Sequence, residues 1–247
     1  MIYFASDVHL GSGDPAAART VERRFLAWLD FAARDAEAIF LVGDIFDFWF
    51  EYPDKAPSGF ESTLNKLTEL TDRGIRVVFF TGNHDMWTGK CLADECGLEI
   101  HTEPQVMELH GKRLFIAHGD NMQIDDQLKL RLLNRMFRSR KLRWLVTKLF
   151  PYDSLIRLGR RWSGHSRKSH TKEIDVEMTR PLITYARNYA ATHADCPVAH
   201  FVFGHMHVAR DYHEEGLHTV HLGSWDKTPT YAVLDDAGNL TLNRFDE

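Results

Sequence analysis

The sequence predicts an α/β (α+β) fold, with two mixed β-sheets packed face to face as a sandwich, flanked by helices and carrying one helical insertion. Three observations predict it. Short apolar runs of strand length recur and end in Gly, His, Asp or Asn. In the first half they alternate with segments of helical period, a rhythm that favours parallel pairing with helices on the sheet faces. The tail holds three apolar runs punctuated by Asp236-Ala237-Gly238-Asn239, the pattern of antiparallel strands and a hairpin.

Taken in order, Ile2-Tyr3-Phe4-Ala5-Ser6 is the first strand and leads into Asp7-Val8-His9. After the Gly11-Ser12-Gly13 loop, Asp14-Pro15 reads as a helix cap with proline in the first turn. Val21, Phe25, Trp28, Leu29 and Ala32 then recur at helical spacing, as in a helix packed on a sheet. Ala38 to Val42 is a second strand. Gly43 lets the backbone turn sharply at its end and Asp44 follows, ahead of an aromatic cluster from Ile45 to Pro53. A helix over roughly Phe60 to Arg73, with Leu64, Leu67 and Leu70, stops at Gly74. Arg76 to Phe80 is a strand before Thr81-Gly82-Asn83-His84-Asp85. Residues 90–97 form a short helix, and short strands follow around Leu98–His101 and Val106–Leu109. His110-Gly111-Lys112 turns into the strand that ends at His118-Gly119-Asp120. A long helix near Val176 to His193 returns the chain to a strand over 200–203, which delivers Gly204-His205-Met206-His207.

Length and composition suit one soluble domain over residues 1–247, with a helical basic lid inserted at 121–175. Three cysteines without zinc-ribbon spacing argue against a disulfide framework, and Cys91, Cys96 and Cys196 read as buried small apolar residues. The first strand begins at Met1 or Ile2, leaving no room for a signal peptide, and no apolar stretch reaches transmembrane length. A cytoplasmic protein is the expectation.

The net charge of −5 is unevenly spread: fourteen of the thirty Lys and Arg residues lie between Lys129 and Lys172, where Asp153 is the only acid. Leu142, Leu145, Val146 and Leu149 fall at i, i+3, i+4 and i+7, with Lys141, Arg143 and Lys148 off that face, so this stretch is a basic amphipathic helix. Leu130, Leu133, Met136 and Phe137 make a similar stripe before it. The asymmetry marks a docking face for an anionic partner. Lys and Arg interleaved with Leu at helical period suit an anionic membrane interface better than a phosphate-tracking groove with stacking aromatics, which argues against nucleic acid.

Five apolar runs each end in metal-binding side chains. Asp7 and His9 are two apart, as are His205 and His207, so in extended segments each pair points to one side. Imidazole, carboxylate and amide donors without thiolates favour a hydrolytic metal such as manganese, iron or zinc over a structural zinc site.

Together the five resemble the calcineurin-like metallophosphoesterases. The family's D-x-H, G-D-x-x-D, G-N-H-D/E, H-G and G-H-x-H are present as Asp7-His9, Gly43-Asp44-Asp47, Gly82-Asn83-His84-Asp85, His118-Gly119 and Gly204-His205-His207. The resemblance implies two divalent ions, Mn2+ foremost. Asp7, His9, Asp44 and His207 would hold one and Asp44, Asn83, His118 and His205 the other, with Asp44 bridging. Such a pair clamps a phosphoryl group and activates water. His84 would stabilise developing charge or protonate the leaving oxygen, with Asp47 holding its ring.

Over nearly the whole chain the order of elements resembles the UDP-2,3-diacylglucosamine pyrophosphohydrolases of lipid A synthesis. Local matches include Gly43-Asp44-Ile45-Phe46 followed by Trp49, His118-Gly119-Asp120 followed by Asp125-Asp126, Ser166-Arg167-Lys168-Ser169 ahead of Ile174-Asp175-Val176, and Leu222-Gly223-Ser224-Trp225. That branch implies an acylated sugar-nucleotide substrate cut to a lipid phosphate and UMP. It also implies a lid that meets the acyl chains and the anionic inner-membrane surface, with Asn83, His84, Asp126, His165, Lys168 and His205 as substrate contacts. Its best-known members carry Arg at the position of His84, Glu at that of Asp47 and Asn at that of His165. His84 and Asp47 restore the pattern of the wider superfamily. A nuclease or cyclic-nucleotide phosphodiesterase is the alternative enzyme reading. A non-catalytic scaffold, which would have lost ligands, is disfavoured because all seven are present.

Overall fold

The computed structural model describes residues 1–52, 55–122, 136, 139–152, 154–155, 176–226 and 228–246. Among the described residues eleven strands fall into two sheets. The first is built from β1 (Ile2–Ala5), β2 (Ala38–Val42), β3 (Arg76–Phe80), β4 (Glu99–His101), β10 (Thr230–Leu234) and β11 (Leu240–Arg244), in the order β11-β10-β1-β2-β3-β4. The second takes β5 (Gln105–Leu109), β6 (Lys112–Ala117), β7 (His200–Phe203), β8 (Ala209–Glu214) and β9 (Leu217–Leu222), in the order β5-β6-β7-β9-β8. Both are mixed: β1 to β4 run parallel, as do β6, β7 and β9, while β10, β11, β5 and β8 pair antiparallel. The expected sandwich is present.

Side-chain alternation makes the layers. Ile2, Phe4, Phe40, Val42, Val78 and Phe80 of the first sheet meet Leu114, Ile116, Val202, Val220 and Leu222 of the second in the central core. The opposite parity, Tyr3, Ile39, Leu41, Val77 and Phe79, packs under α1 (Pro15–Ala32) and α2 (Glu61–Asp72). Asp14 caps α1, its Oδ1 accepting from Ala16 N at 2.9 Å and Ala17 N at 3.0 Å. His110 and Gly111, both at positive φ, close the β5–β6 hairpin as a two-residue turn requires.

Several expectations are corrected. Residues 90–97 contain one π-helical turn, Cys91–Glu95, in place of an ordinary helix. The helix expected from Val176 is instead a 3-10 turn, Val176–Thr179, followed by an α-helix. Pro181 cannot donate a hydrogen bond to the Glu177 carbonyl, so the α-helical ladder starts afresh. Cys91 and Cys96 are buried, but Cys196 is exposed. In the insertion, α3 (Arg140–Leu149) forms as expected, but one of its basic residues does not face outward. Arg143 points inward, to the carbonyls of Thr88 and Glu51, while Leu145 and Leu149 are exposed together with Trp144 and Phe150. No described helix is long and apolar enough to cross a membrane.

The helix after the 3-10 turn, α4 (Arg180–Thr192), covers the outer face of the second sheet through Leu182, Ile183 and Ala186. At the surface Arg187 Nε and its neighbouring amine each donate to Glu214 of β8 at 2.9 Å, and Tyr212 Oη adds 2.6 Å. The Arg187 guanidinium, with the Tyr212 hydroxyl, lowers the Glu214 carboxyl to about 2. A depressed acid stabilises the fold above its unfolded-state pKa and stops doing so as pH falls through the folded value. Thermal melts of wild type and Arg187→Ala should therefore differ by a constant amount from pH 7 down to about 4.5. The gap should close as the pH approaches 2, and a gap that widens on acidification would refute the assignment.

Candidate active site

The carboxyl ends of β1, β2, β3, β6 and β7 meet at one edge of the sandwich, and each is followed by a turn that carries donor side chains. The pairs Asp7/His9 and His205/His207 were expected in extended backbone. Instead Asp7 (φ 51°), His9 (52°), Asp44 (52°), His205 (69°) and His207 (54°) all lie in the left-handed region. Such conformations in non-glycine residues cost roughly 1–3 kcal/mol each and persist only where surroundings over-determine them. Here backbone bonds between turns do so: Asp7 N to Gly43 O, His9 N to Asp44 O and Gly204 N to His118 O, each 3.0 Å.

Asp85 is the hub of this network, and sequence reasoning gave it no role. Fully buried, its Oδ1 accepts from Gly82 N (2.7 Å) and Asp44 N (3.2 Å), and its Oδ2 from Ile45 N (2.8 Å) and Phe46 N (3.3 Å). One carboxylate thus fastens the turn after β2 to the turn after β3. Burial and the neighbouring Asp44 charge push Asp85 up to about 7, while the backbone donors act in the opposite direction. The missed signal was an acid immediately after Gly-Asn-His, at a strand end too apolar to leave it exposed.

The donors form overlapping groups: Asp7, His9 and His207; Asp44, His118 and His205; and His9, Asp44 and His84 between them. His207 Nε2 lies 3.3 Å from Asp7 Oδ1 and 3.1 Å from His9 Nε2. His118 Nε2 lies 3.3 Å from both Asp44 Oδ2 and Asn83 Oδ1. The His118 tautomer follows from its other nitrogen, which is 3.0 Å from the Val42 carbonyl. A carbonyl only accepts, so Nδ1 carries the hydrogen, and in the neutral ring the Nε2 lone pair faces two oxygens. Such convergence of electron pairs is met by a cation, and a ligating imidazole typically gives its second N–H to a carbonyl in this way. His9 Nδ1, buried and without a hydrogen bond, leaves that ring oriented by its surroundings alone. The donor set therefore fits divalent ions.

Electrostatics agree. Burial alone would raise the Asp44 carboxyl, but the facing His118 and His84 rings carry it well below the carboxylate range. Asp7 is likewise lowered, the His207 hydrogen bond and charge overcoming burial. His118 is raised well above the usual imidazole range by Asp44 against the effect of burial. Burial and the His118 charge bring His205 down to about 4, leaving its ring neutral.

His84 is held twice. Its backbone N donates to Asp44 Oδ1 at 2.9 Å, and its Nδ1 donates to the Asp47 backbone carbonyl at 2.7 Å. The expectation that the Asp47 side chain grips this ring is corrected: the carboxylate is 4.0 Å from His84 Nδ1 and nearer, at 3.6 Å, to His9 Nδ1. Asp126, His165 and Lys168 lie outside the described residues.

The calcineurin-like phosphoesterase family matches residues 1–209. This chain is a calcineurin-like phosphoesterase. A UDP-2,3-diacylglucosamine hydrolase of Porphyromonas gingivalis is 36% identical to it over 95% of this chain and 94% of its own. One of Neisseria gonorrhoeae is 30% identical over 90% and 89%. Among solved structures, an archaeal phosphodiesterase covers 99% of both chains with a TM-score of 0.49 and 12% identity. The phosphoesterase is thus a metal-dependent hydrolase of phosphoester bonds, and its His and Asp clusters suit the divalent ions that the family uses.

Two substitutions probe the turns of this phosphoesterase. Asp85→Asn sets an amide against four backbone N–H groups. It should cost about 1–3 kcal/mol for the donors left unsatisfied and lower the metal retained after dialysis, as read by melting temperature and elemental analysis. Unchanged metal content would remove Asp85 from the site's support. A Cβ at Gly82 would collide with the Asp44 carboxylate and sit 2.7 Å from Asp44 N. Gly82→Ala should therefore lower hydrolysis at least tenfold with a stability loss of about 1–3 kcal/mol.

Proposed function

We propose that this phosphoesterase hydrolyses the pyrophosphate of UDP-2,3-diacylglucosamine, giving 2,3-diacylglucosamine 1-phosphate and UMP, in lipid A synthesis. The observation that carries this reading is the full-length likeness to hydrolases named for that substrate, joined to a complete donor set at one sandwich edge. Asp7, His9, Asp44 and His207 would hold one ion, and Asp44, Asn83, His118 and His205 the second, with Asp44 shared. Nitrogen and oxygen donors without thiolate accord with Mn2+, and iron or zinc is also compatible. When bound, such ions polarise phosphoryl oxygens and lower the pKa of water.

The chain's own residues supply the rest. With Nδ1–H committed to the Asp47 carbonyl, His84 acts through Nε2 alone, as a proton donor to the leaving oxygen when the ring is charged. The Asp44 bond to the His84 backbone sets the ring's position relative to the shared carboxylate. Asp126, Lys168 and His165 of the lid are assigned to substrate binding.

The lid suits an amphiphilic substrate. Trp144, Leu145, Leu149 and Phe150 stand exposed beside Lys141 and Lys148 on α3, a combination that favours an anionic lipid interface. The helix is tied to the body by Arg143 and by Tyr52 Oη, which donates to Phe150 O at 2.8 Å. On this reading the enzyme works at the cytoplasmic face of the inner membrane.

Purified protein with Mn2+ should release UMP from UDP-2,3-diacylglucosamine, with Asp44→Ala as the inactive blank. No UMP together with brisk cleavage of generic phosphodiesters would overturn the substrate. His84→Ala should lower kcat by about 10²–10⁴-fold, the usual contribution of a positioned proton donor, and retain bound metal. A double change, Trp144→Glu with Leu149→Glu, should reduce sedimentation with anionic vesicles and raise KM for the acylated substrate. Turnover of a soluble phosphodiester should be unchanged, and equal vesicle binding would refute the membrane role.

A further inference from the structure

A second cluster of metal-binding side chains lies away from the active site, at the opposite end of β7. Asp211 and His213 are two apart on β8 and share a face, His213 pairs directly with His218 of β9, and His200 opens β7 beside it. His218 Nε2 is 2.8 Å and His213 Nε2 2.9 Å from the same oxygen, Asp211 Oδ1. The His213 and His218 rings stack with centroids 3.9 Å apart.

Hydrogen-bond direction fixes the tautomers. His200 Nε2 is 3.0 Å from the Gly238 carbonyl, which only accepts, so Nε2 carries the hydrogen. In the neutral ring His200 Nδ1 is then an acceptor, and it is 2.7 Å from His218 Nδ1, which must donate. The hydrogen of a neutral His218 is therefore spent on His200, and its Nε2 lone pair points at a carboxylate oxygen. Electron pairs at that separation repel unless positive charge lies between them. A proton on His218 would serve for that pair alone. A second imidazole is aimed at the same oxygen, and two stacked imidazolium rings would repel each other.

We propose that Asp211, His213 and His218 bind a divalent transition-metal ion, with zinc as the best match, and that His200 orients His218 through its Nδ1–H. The donor set is imidazole and carboxylate, as zinc accepts. A ligating histidine whose other N–H is held by a further acceptor is the usual outer arrangement of such sites. The three donor atoms lie within 4.8 Å of one another. A tetrahedral ion with bonds of about 2.0–2.1 Å holds its donors about 3.3 Å apart, so modest opening of the side chains admits it. The His213 side chain is 66% exposed, which leaves the fourth coordination position to water. Bound there, the ion would clip the β8–β9 hairpin at the free edge of the second sheet.

The test strips the full-length chain with chelator, adds Zn2+ alone, and counts ions retained after gel filtration. Wild type should hold one more ion per chain than His213→Ala or Asp211→Asn, while all three hydrolyse substrate equally with Mn2+. Zn2+ should also raise the melting temperature of wild type more than that of the variants. His213→Gln, a milder change at an exposed edge position, decides the matter should the alanine variant fail to fold. Equal zinc content in wild type and the folded variants would overturn the site and leave a His218–Asp211 ion pair in its place.

Discussion

Two carboxylates, Asp7 and Asp44, are buried at the ends of neighbouring parallel strands, and much of the surrounding structure answers that constraint. Removing an ionised carboxylate from water costs several kcal/mol even after relaxation, and the cost is recovered only by well-placed positive charge and hydrogen bonds. His118, His207, His9 and His84 close around the pair. The backbone contributes as well: His205 N donates to Asp7 at 2.9 Å and His84 N to Asp44 at 2.9 Å. Negative charge held at a fixed point and only partly compensated by protein groups is what a divalent cation requires, so the burial of these carboxylates and the site's suitability for metal have a common cause.

Holding the donors there requires left-handed backbone at five of the positions that the side chains come from. Glycine would relax that backbone but could offer no ligand. The strain is sustained by rigid surroundings: strands buried on both faces, and Asp85 stitching two turns together with four hydrogen bonds. Gly43 and Gly82 complete the arrangement, since a Cβ at Gly43 would lie 2.5 Å from His118 Nδ1 and one at Gly82 would displace Asp44. Small residues and strained residues therefore alternate around the site for one reason: the turns approach within hydrogen-bond distance.

Much of this was legible in the sequence because it depends on local pattern. Apolar runs bounded by turn residues marked the described strands except β8, whose Ala-Arg-Asp-Tyr-His-Glu is too polar to stand out, and the five motifs at strand ends named the donors that the structure brings together. What was not legible depends on tertiary partners. Helical period grouped Leu142, Leu145, Val146 and Leu149 on one face and set Lys141, Arg143 and Lys148 off it, but period does not say where a face points, nor that Arg143 would reach two backbone carbonyls of the body. Asp85 looked like one more acid, since its four donors come from turns after two different strands. The Asp47 carboxylate was expected to hold His84, whereas the nearer acceptor is a backbone carbonyl, to which sequence assigns no position. Cys196 was judged by residue type alone, and its place just after α4 leaves it in solvent.

The orientation of α3 bears on how a buried, highly charged centre can serve an amphiphilic substrate. Folding turned the basic Arg143 toward two carbonyls of the body and left Trp144, Leu149 and Phe150 more than half exposed. Fully burying such a side chain stabilises by roughly 1.5–3 kcal/mol. This face accordingly carries several kcal/mol of unmet hydrophobic driving force in water. An interface that took up those side chains would meet Lys141 and Lys148 on the same helix, so apolar and electrostatic attraction would act together. Arg143 and Tyr52 fix the helix to segments that follow β2 and β3, the strands that deliver Asp44 and His84. The proposed membrane contact and the proposed metal centre are thus joined by rigid backbone, so that docking would hold the site at a defined height above the lipid surface.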